Sequence, residues 1–154
     1  AKNAESLRIL SLKIKNREID KHYLCRVYGI IDPKNGTLHD YLTRNEKTKM
    51  VSVTKKPVGQ DSDEIITEYK TISHDANTSW LEIKLITGKT HQIRAHMAYI
   101  GHPLVGEQKY TIAKYSAMND EKYQQLISYK VVFNFKSDAG ILNYLNHKVF
   151  EIKP

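Results

Sequence analysis

The sequence predicts an α+β fold with a mixed, mainly antiparallel sheet and flanking helices. Segments of strand period recur along the chain, short turn-rich gaps separate many of them, and other stretches switch to helical period. At 154 residues the chain is long enough for a core of its own, and residues 1–154 are expected to form a single domain.

Each element has its own signal. Residues 4–15, AESLRILSLKIK, place Leu7, Leu10 and Ile14 on one face and predict an amphipathic helix. In HYLCRVYG, Tyr23, Cys25 and Val27 alternate with His22, Leu24 and Arg26, a strand ended by Gly29. Further strands are expected at KMVSV, IITEYKTIS and SWLEIKLI, the last with Leu81, Ile83 and Leu85 facing one side. TKKPVGQDSDE, residues 54–64, reads as a mobile loop. A helix then opens with Thr90 as N-cap and carries Ile93, Met97 and Ile100 as its apolar stripe. Gly101 takes the left-handed position after its last turn, and Pro103 prevents continuation. A second helix around Glu121–Ile127 leads into the strand YKVVFNF, and residues 141–152, ILNYLNHKVFEI, fit either helix or strand.

Composition limits the function. The excess of 24 Lys+Arg over 17 Asp+Glu gives a net charge of +7, which favours a polyanionic partner. The charge is clustered: residues 1–26 hold seven cations against three acids, and residues 44–56 hold five against one. Arg44, Lys47 and Lys49 suit contact with such a partner and a solvated turn about equally. A single cysteine, Cys25, excludes an intrachain disulfide and a multi-cysteine metal site. It fits a reducing compartment, so a cytoplasmic location is expected. No apolar run approaches the length of a membrane span.

The chemistry concentrates in TGKTHQIRAHMAYIGHPLVG, residues 87–106. His91, Arg94 and Ala98 share a helix face, where a cation stands beside small residues. His91 and His96, five positions apart, do not share a face as a His-x-x-x-His metal pair would, so no metal is expected. One glycine before Lys89 falls far short of a nucleotide-binding phosphate loop. Gly88 suits a tight turn, and Cys25 reads as a packed small hydrophobe.

LITGKTHQIRAHMAYIGHPLVGEQKY resembles the signature of the RluA-type RNA pseudouridine synthases. AKNAESLRILSLKIKNREIDKHYLCRVYG resembles that family's helix, basic turn and Lys-x-Tyr strand, and ITEYKTI its Thr-x-Tyr strand. The resemblance runs from Ala1 to about Tyr110 and is looser beyond. It implies a catalytic domain that isomerises uridine to pseudouridine in structured RNA, rRNA or tRNA, without a cofactor, after flipping the base from its stack. It further implies an aspartate nucleophile, an arginine that keeps that aspartate ionised, matched by Arg94, and a tyrosine that stacks on the uracil, matched by Tyr23. Lys89, His91, Gln92 and His96 fall within the motif and are expected to contact RNA or hold the loop.

The aspartate is where the sequence departs from the family. Its motif, resembling His-Arg-Leu-Asp-x-x-Thr-Ser-Gly, stands in relatives shortly before the Ala-Lys-Asn found here at Ala1, and no stretch of this chain has that form. The resemblance therefore implies a C-terminal portion of the catalytic domain, inactive alone and expected to self-associate through surface that the missing part would cover. The alternative is a non-catalytic RNA-binding module using the same basic groove.

Overall fold

The computed structural model describes residues 1–118 and 120–153. Seven strands form one sheet: β1 (Ile19–Tyr28), β2 (Asn35–Arg44), β3 (Val51–Thr54), β4 (Ser62–His74), β5 (Thr78–Leu85), β6 (Leu126–Phe133) and β7 (Val149–Glu151). Their order across the sheet is β3-β2-β4-β5-β1-β6-β7, and every pairing is antiparallel. The helices are α1 (Ala4–Lys15), α2 (Gln92–Tyr99) and the single turn α3 (Ala113–Ser116), with a 3₁₀ turn over Gly140–Leu145.

The alternation expected in β1 and β5 decides where the core lies. Cys25, Val27, Leu81 and Ile83 turn to one face and are fully buried beneath Ile93 and Met97 of α2. Burial of a side chain the size of Leu81 or Met97 contributes roughly 1.5–3 kcal/mol, so this face fixes both the register of the strands and the seat of α2. Tyr23 and Leu126 lie half-buried at its margin.

α1 begins where Asn3 Oδ1 accepts the Ser6 N–H at 2.8 Å, but its inner face differs from the expected one. Leu7 and Ile14 are exposed, whereas Ser6 and Lys13 are buried and Ile9 and Leu10 pack on Ile19, Phe135 and Leu142. The reason is the Lys13 ammonium, which meets Glu18 at 2.8 Å and Ser137 O at 2.6 Å. A long aliphatic stem with a fully partnered head serves there as a core side chain.

Other expectations also shift. β2, absent from the sequence reading, pairs along its length with β4. Residues 121–125 are not helical and strand begins at Leu126, so the helix expected at Glu121–Ile127 is replaced by the turn α3 farther upstream. Of the expected loop 54–64, only 55–61 links β3 to β4, and it is closed by Ser62 Oγ bonding Val58 N and O, each at 2.7 Å. The ambiguous tail resolves into the 3₁₀ turn followed by β7.

Candidate active site

β5 ends at Leu85, and the chain turns through Thr87–His91 before α2. The expected N-cap, Thr90, gives way to His91, which has φ 59° and no capping side-chain bond. Gln92 does the work of a cap instead. Its Oε1 accepts the Lys89 N–H and the Thr87 hydroxyl, both at 3.0 Å, while its Nε2 donates to Ile66 O at 3.1 Å and Thr67 Oγ1 at 3.0 Å. All four hydrogen-bonding sites of one buried amide are filled, which pins the basic turn to β4.

The chain of bonds continues inward. Thr67 Oγ1, already an acceptor, directs its proton to His96 Nδ1 at 3.0 Å, which leaves His96 Nε2 to donate to Asp40 Oδ2 at 2.9 Å. Lys55 closes the series at 2.7 Å from Asp40 Oδ1. Burial lowers the His96 pKa against the opposing pull of Asp40, in keeping with the neutral tautomer this bonding requires. Gln92 is 1% and His96 0% exposed, and the polar side-chain atoms of both are taken by partners within the fold. Of the two roles expected for them, holding the loop is the one their burial permits.

The far end of α2 follows the expected pattern. Gly101 N–H bonds Ala98 O at 3.0 Å, His102 N–H bonds Met97 O at 2.9 Å, and Gly101 has φ 91°. This doubly bonded left-handed ending needs glycine for want of a Cβ.

Arg94 projects from α2 into a bidentate pair with Glu107, Nε to Oε2 at 2.8 Å and Nη2 to Oε1 at 2.6 Å. Oε1 also accepts the backbone N–H of Lys109 at 2.7 Å and of Tyr110 at 3.1 Å. Burial pushes the Glu107 carboxyl up, but these bonds outweigh it and leave its pKa below the ordinary value; the same pair raises that of Arg94. The guanidinium lies over the Tyr110 ring, 5.3 Å from its centre. Tyr110 Oη takes the Val51 N–H at 3.3 Å and gives its own proton to His91 Nδ1 at 2.8 Å. Burial first, then the nearby Arg94 and Lys109 charges, lower the His91 pKa. Glu107 and Tyr110 carry no sequence signal beyond membership of the GEQKY stretch that closes the matched block.

Tyr23, Lys89, His91, Gln92 and Arg94 line one cleft of about 250 Å³, together with Leu85, Ile93 and Leu126. Arg94 is 15% exposed there, and its pairing with Glu107 leaves three of its five N–H donors for other acceptors. Lys89 reaches Asp63 at 2.5 Å on the rim. No carboxylate lines this cleft among the described residues. Nor does any group of three or more His, Cys, Asp or Glu among them stand where it could hold a metal ion. Asp40 serves His96, Asp75 caps a turn and binds Arg26 at 2.8 Å, and Asp20 pairs with Lys84 at 3.4 Å.

The family model for RNA pseudouridylate synthase matches residues 1–99. An uncharacterized RNA pseudouridine synthase of Chlorobaculum parvum is 31% identical over 110 residues, 71% of this chain and 34% of the relative. A ribosomal large subunit pseudouridine synthase D of Borreliella burgdorferi is 30% identical over 71% of this chain and 33% of its own length. Another of that name, from Blochmanniella floridana, is 30% identical over 99% of this chain and 46% of its length. The chain thus spans between a third and a half of these relatives. Among solved structures, human RNA pseudouridylate synthase domain containing 1 superposes with a TM-score of 0.75 at 21% identity, covering 90% of this chain and 59% of that one. Human RNA pseudouridylate synthase domain containing 4 gives 0.74 at 15% identity, covering 98% and 64%. At these identities the two structures bear on the fold alone.

Proposed function

The chain belongs to the RNA pseudouridylate synthase family, and from that premise we propose that it forms the arginine and tyrosine side of a pocket that isomerises uridine within rRNA or tRNA. The observation that carries the reading is the meeting of Tyr23 from β1 and Arg94 from α2 in one cleft. A flipped uracil stacks on Tyr23, the bond from ribose to the ring nitrogen breaks, the base turns, and a bond to ring carbon replaces it. The proton lost from that carbon is balanced by one gained at the freed nitrogen, so no cofactor enters the stoichiometry.

Arg94, oriented by Glu107, holds the nucleophilic aspartate ionised through the N–H donors that Glu107 leaves open. That aspartate belongs to a segment outside these 154 residues, which form the C-terminal portion of the catalytic domain. No carboxylate lines the cleft among the described residues, and it is inactive until that segment joins it. Gln92 and His96 act behind the surface by fixing the turn that presents Lys89 and His91.

The test uses a longer protein that includes the residues preceding Ala1. Incubated with rRNA or tRNA and no added metal or nucleotide, it is expected to form pseudouridine, and the 154-residue chain to form none. Replacing Arg94 together with Glu107 by Met should cut turnover by at least about a hundredfold, the scale on which positioned electrostatic groups act. Near-normal turnover in that variant would refute the role given to Arg94. A longer protein that binds RNA and forms no pseudouridine would favour the binding-module reading.

A further inference from the structure

A larger concavity, of about 580 Å³, opens beside the cleft and shares Leu85 and Lys89 with its wall. We infer that it is a phosphate-binding channel for the RNA strand that flanks the target uridine, an inference that rests on reading the neighbouring cleft as the uridine pocket. Six cations line it, Lys15, Arg17, Lys21, Lys84, Lys89 and Lys136, against one acid, Asp20. Asp20 is itself engaged by Lys84 at 3.4 Å and by Asn134 Nδ2 at 2.9 Å. Lys89 and Arg17 reach Asp63 and Glu64 on the rim. Among the described residues no carboxylate pairs with Lys15, Lys21 or Lys136, so the channel holds cations that its own acids do not neutralise. A nucleic-acid backbone supplies the missing charge and releases its condensed counterions on binding.

Two positions show what the fold gives up to keep these charges. Lys21 lies two residues before Tyr23 on β1, hence on the same face, and is half-buried beside Gly88. A Cβ on Gly88 would run into the Lys21 ammonium. Burial lowers the Lys21 pKa with no acid to oppose it, a cost that an arriving phosphate offsets. Arg17 follows α1 at φ 56°, its N–H on Ile14 O at 3.1 Å and that of Glu18 on Lys13 O at 2.9 Å. This is the left-handed helix ending in which glycine is favoured, yet the position holds an arginine facing the channel.

The experiment measures the affinity of the 154-residue chain for a fluorescently labelled RNA hairpin with a uridine-rich loop, across a range of salt. Lys15→Gln, Arg17→Gly and Lys136→Gln combined should flatten the plot of log affinity against log salt by about 2, at roughly 0.7 per lost single-strand phosphate contact. An equal removal of charge elsewhere, Lys70→Gln, Lys114→Gln and Lys122→Gln, should leave the slope unchanged. Arg17→Gly alone should weaken binding while the melting temperature holds or rises, which separates binding from folding. Equal slopes in the two triple variants would overturn the channel and leave the uridine pocket untouched. Failure of the longer protein to make pseudouridine, with the slope change intact, would strike the pocket and leave a phosphate path standing.

Discussion

Glu107 commits its oxygens to Arg94 and to two backbone N–H groups, and it is 1% exposed. Removing the arginine alone strands a buried carboxylate, so Arg94→Met is expected to cost roughly 3–5 kcal/mol of folding stability. Changing both partners to Met should recover part of that loss, since the stranded charge is gone while the Lys109 and Tyr110 N–H groups lose their acceptor. Urea denaturation of the two variants checks this, and equal stability would show that Glu107 does not depend on Arg94. The dependence was invisible in the sequence because α2 ends and the chain turns at Gly101 and again at Gly106, φ 78°, before Glu107 comes back beneath Arg94. No helical or strand period links the two positions. Tyr23 was easier to place, since its own strand alternates cleanly into the core.

At the level of elements, clean alternation was legible and partnered polar groups were not. β1 and β5 read correctly because their inward positions are apolar. In β2 the inward series includes Asp40, buried only because His96 and Lys55 meet it, and an acid in that place erases the strand signal. α1 shows the same effect at Lys13, whose ion pair with Glu18 turns the helix away from the face that Leu7 and Ile14 suggest. That pair carries a pH dependence. The Lys13 hydrogen bond first, with help from Lys136 N–H and Asn16, holds the Glu18 pKa down to about 2 from an ordinary 4.5. The folded state therefore keeps the carboxylate where the unfolded chain takes up a proton. The stability it contributes is fully present above pH 4.5 and is lost as pH falls from there towards 2. The urea midpoint is expected to drop across that window, and less steeply in a Lys13→Met, Glu18→Met double variant; identical slopes would contradict the assignment.

For the molecule as a whole, family, sheet class and the neighbourhood of the cleft were legible because they rest on one long motif and a few alternating strands. The counter-ions of the cleft and the strand order lay beyond local sequence. The exposed apolar surface was anticipated only in kind. Leu7, Leu12 and Ile14 on the outside of α1 are 59%, 54% and 48% exposed, and Val149, Phe150 and Ile152 at and beyond β7 are 52%, 56% and 56% exposed. β7 is also the outermost strand on its side of the sheet. Such an edge invites pairing between copies. The 154-residue chain is expected to elute from size-exclusion chromatography as a dimer or larger, and Phe150→Lys to shift it to monomer; a monomer in both cases would remove the idea. Another consequence comes from β1, which lies between β5 and β6. On the ribosome β1 emerges well before β6, which begins roughly a hundred residues later, a wait of about 5–20 s at usual elongation rates. Throughout that interval the strand bearing Tyr23 has at least one bare flank, so the nascent chain is most vulnerable to misassociation along the very ribbon that later lines the cleft.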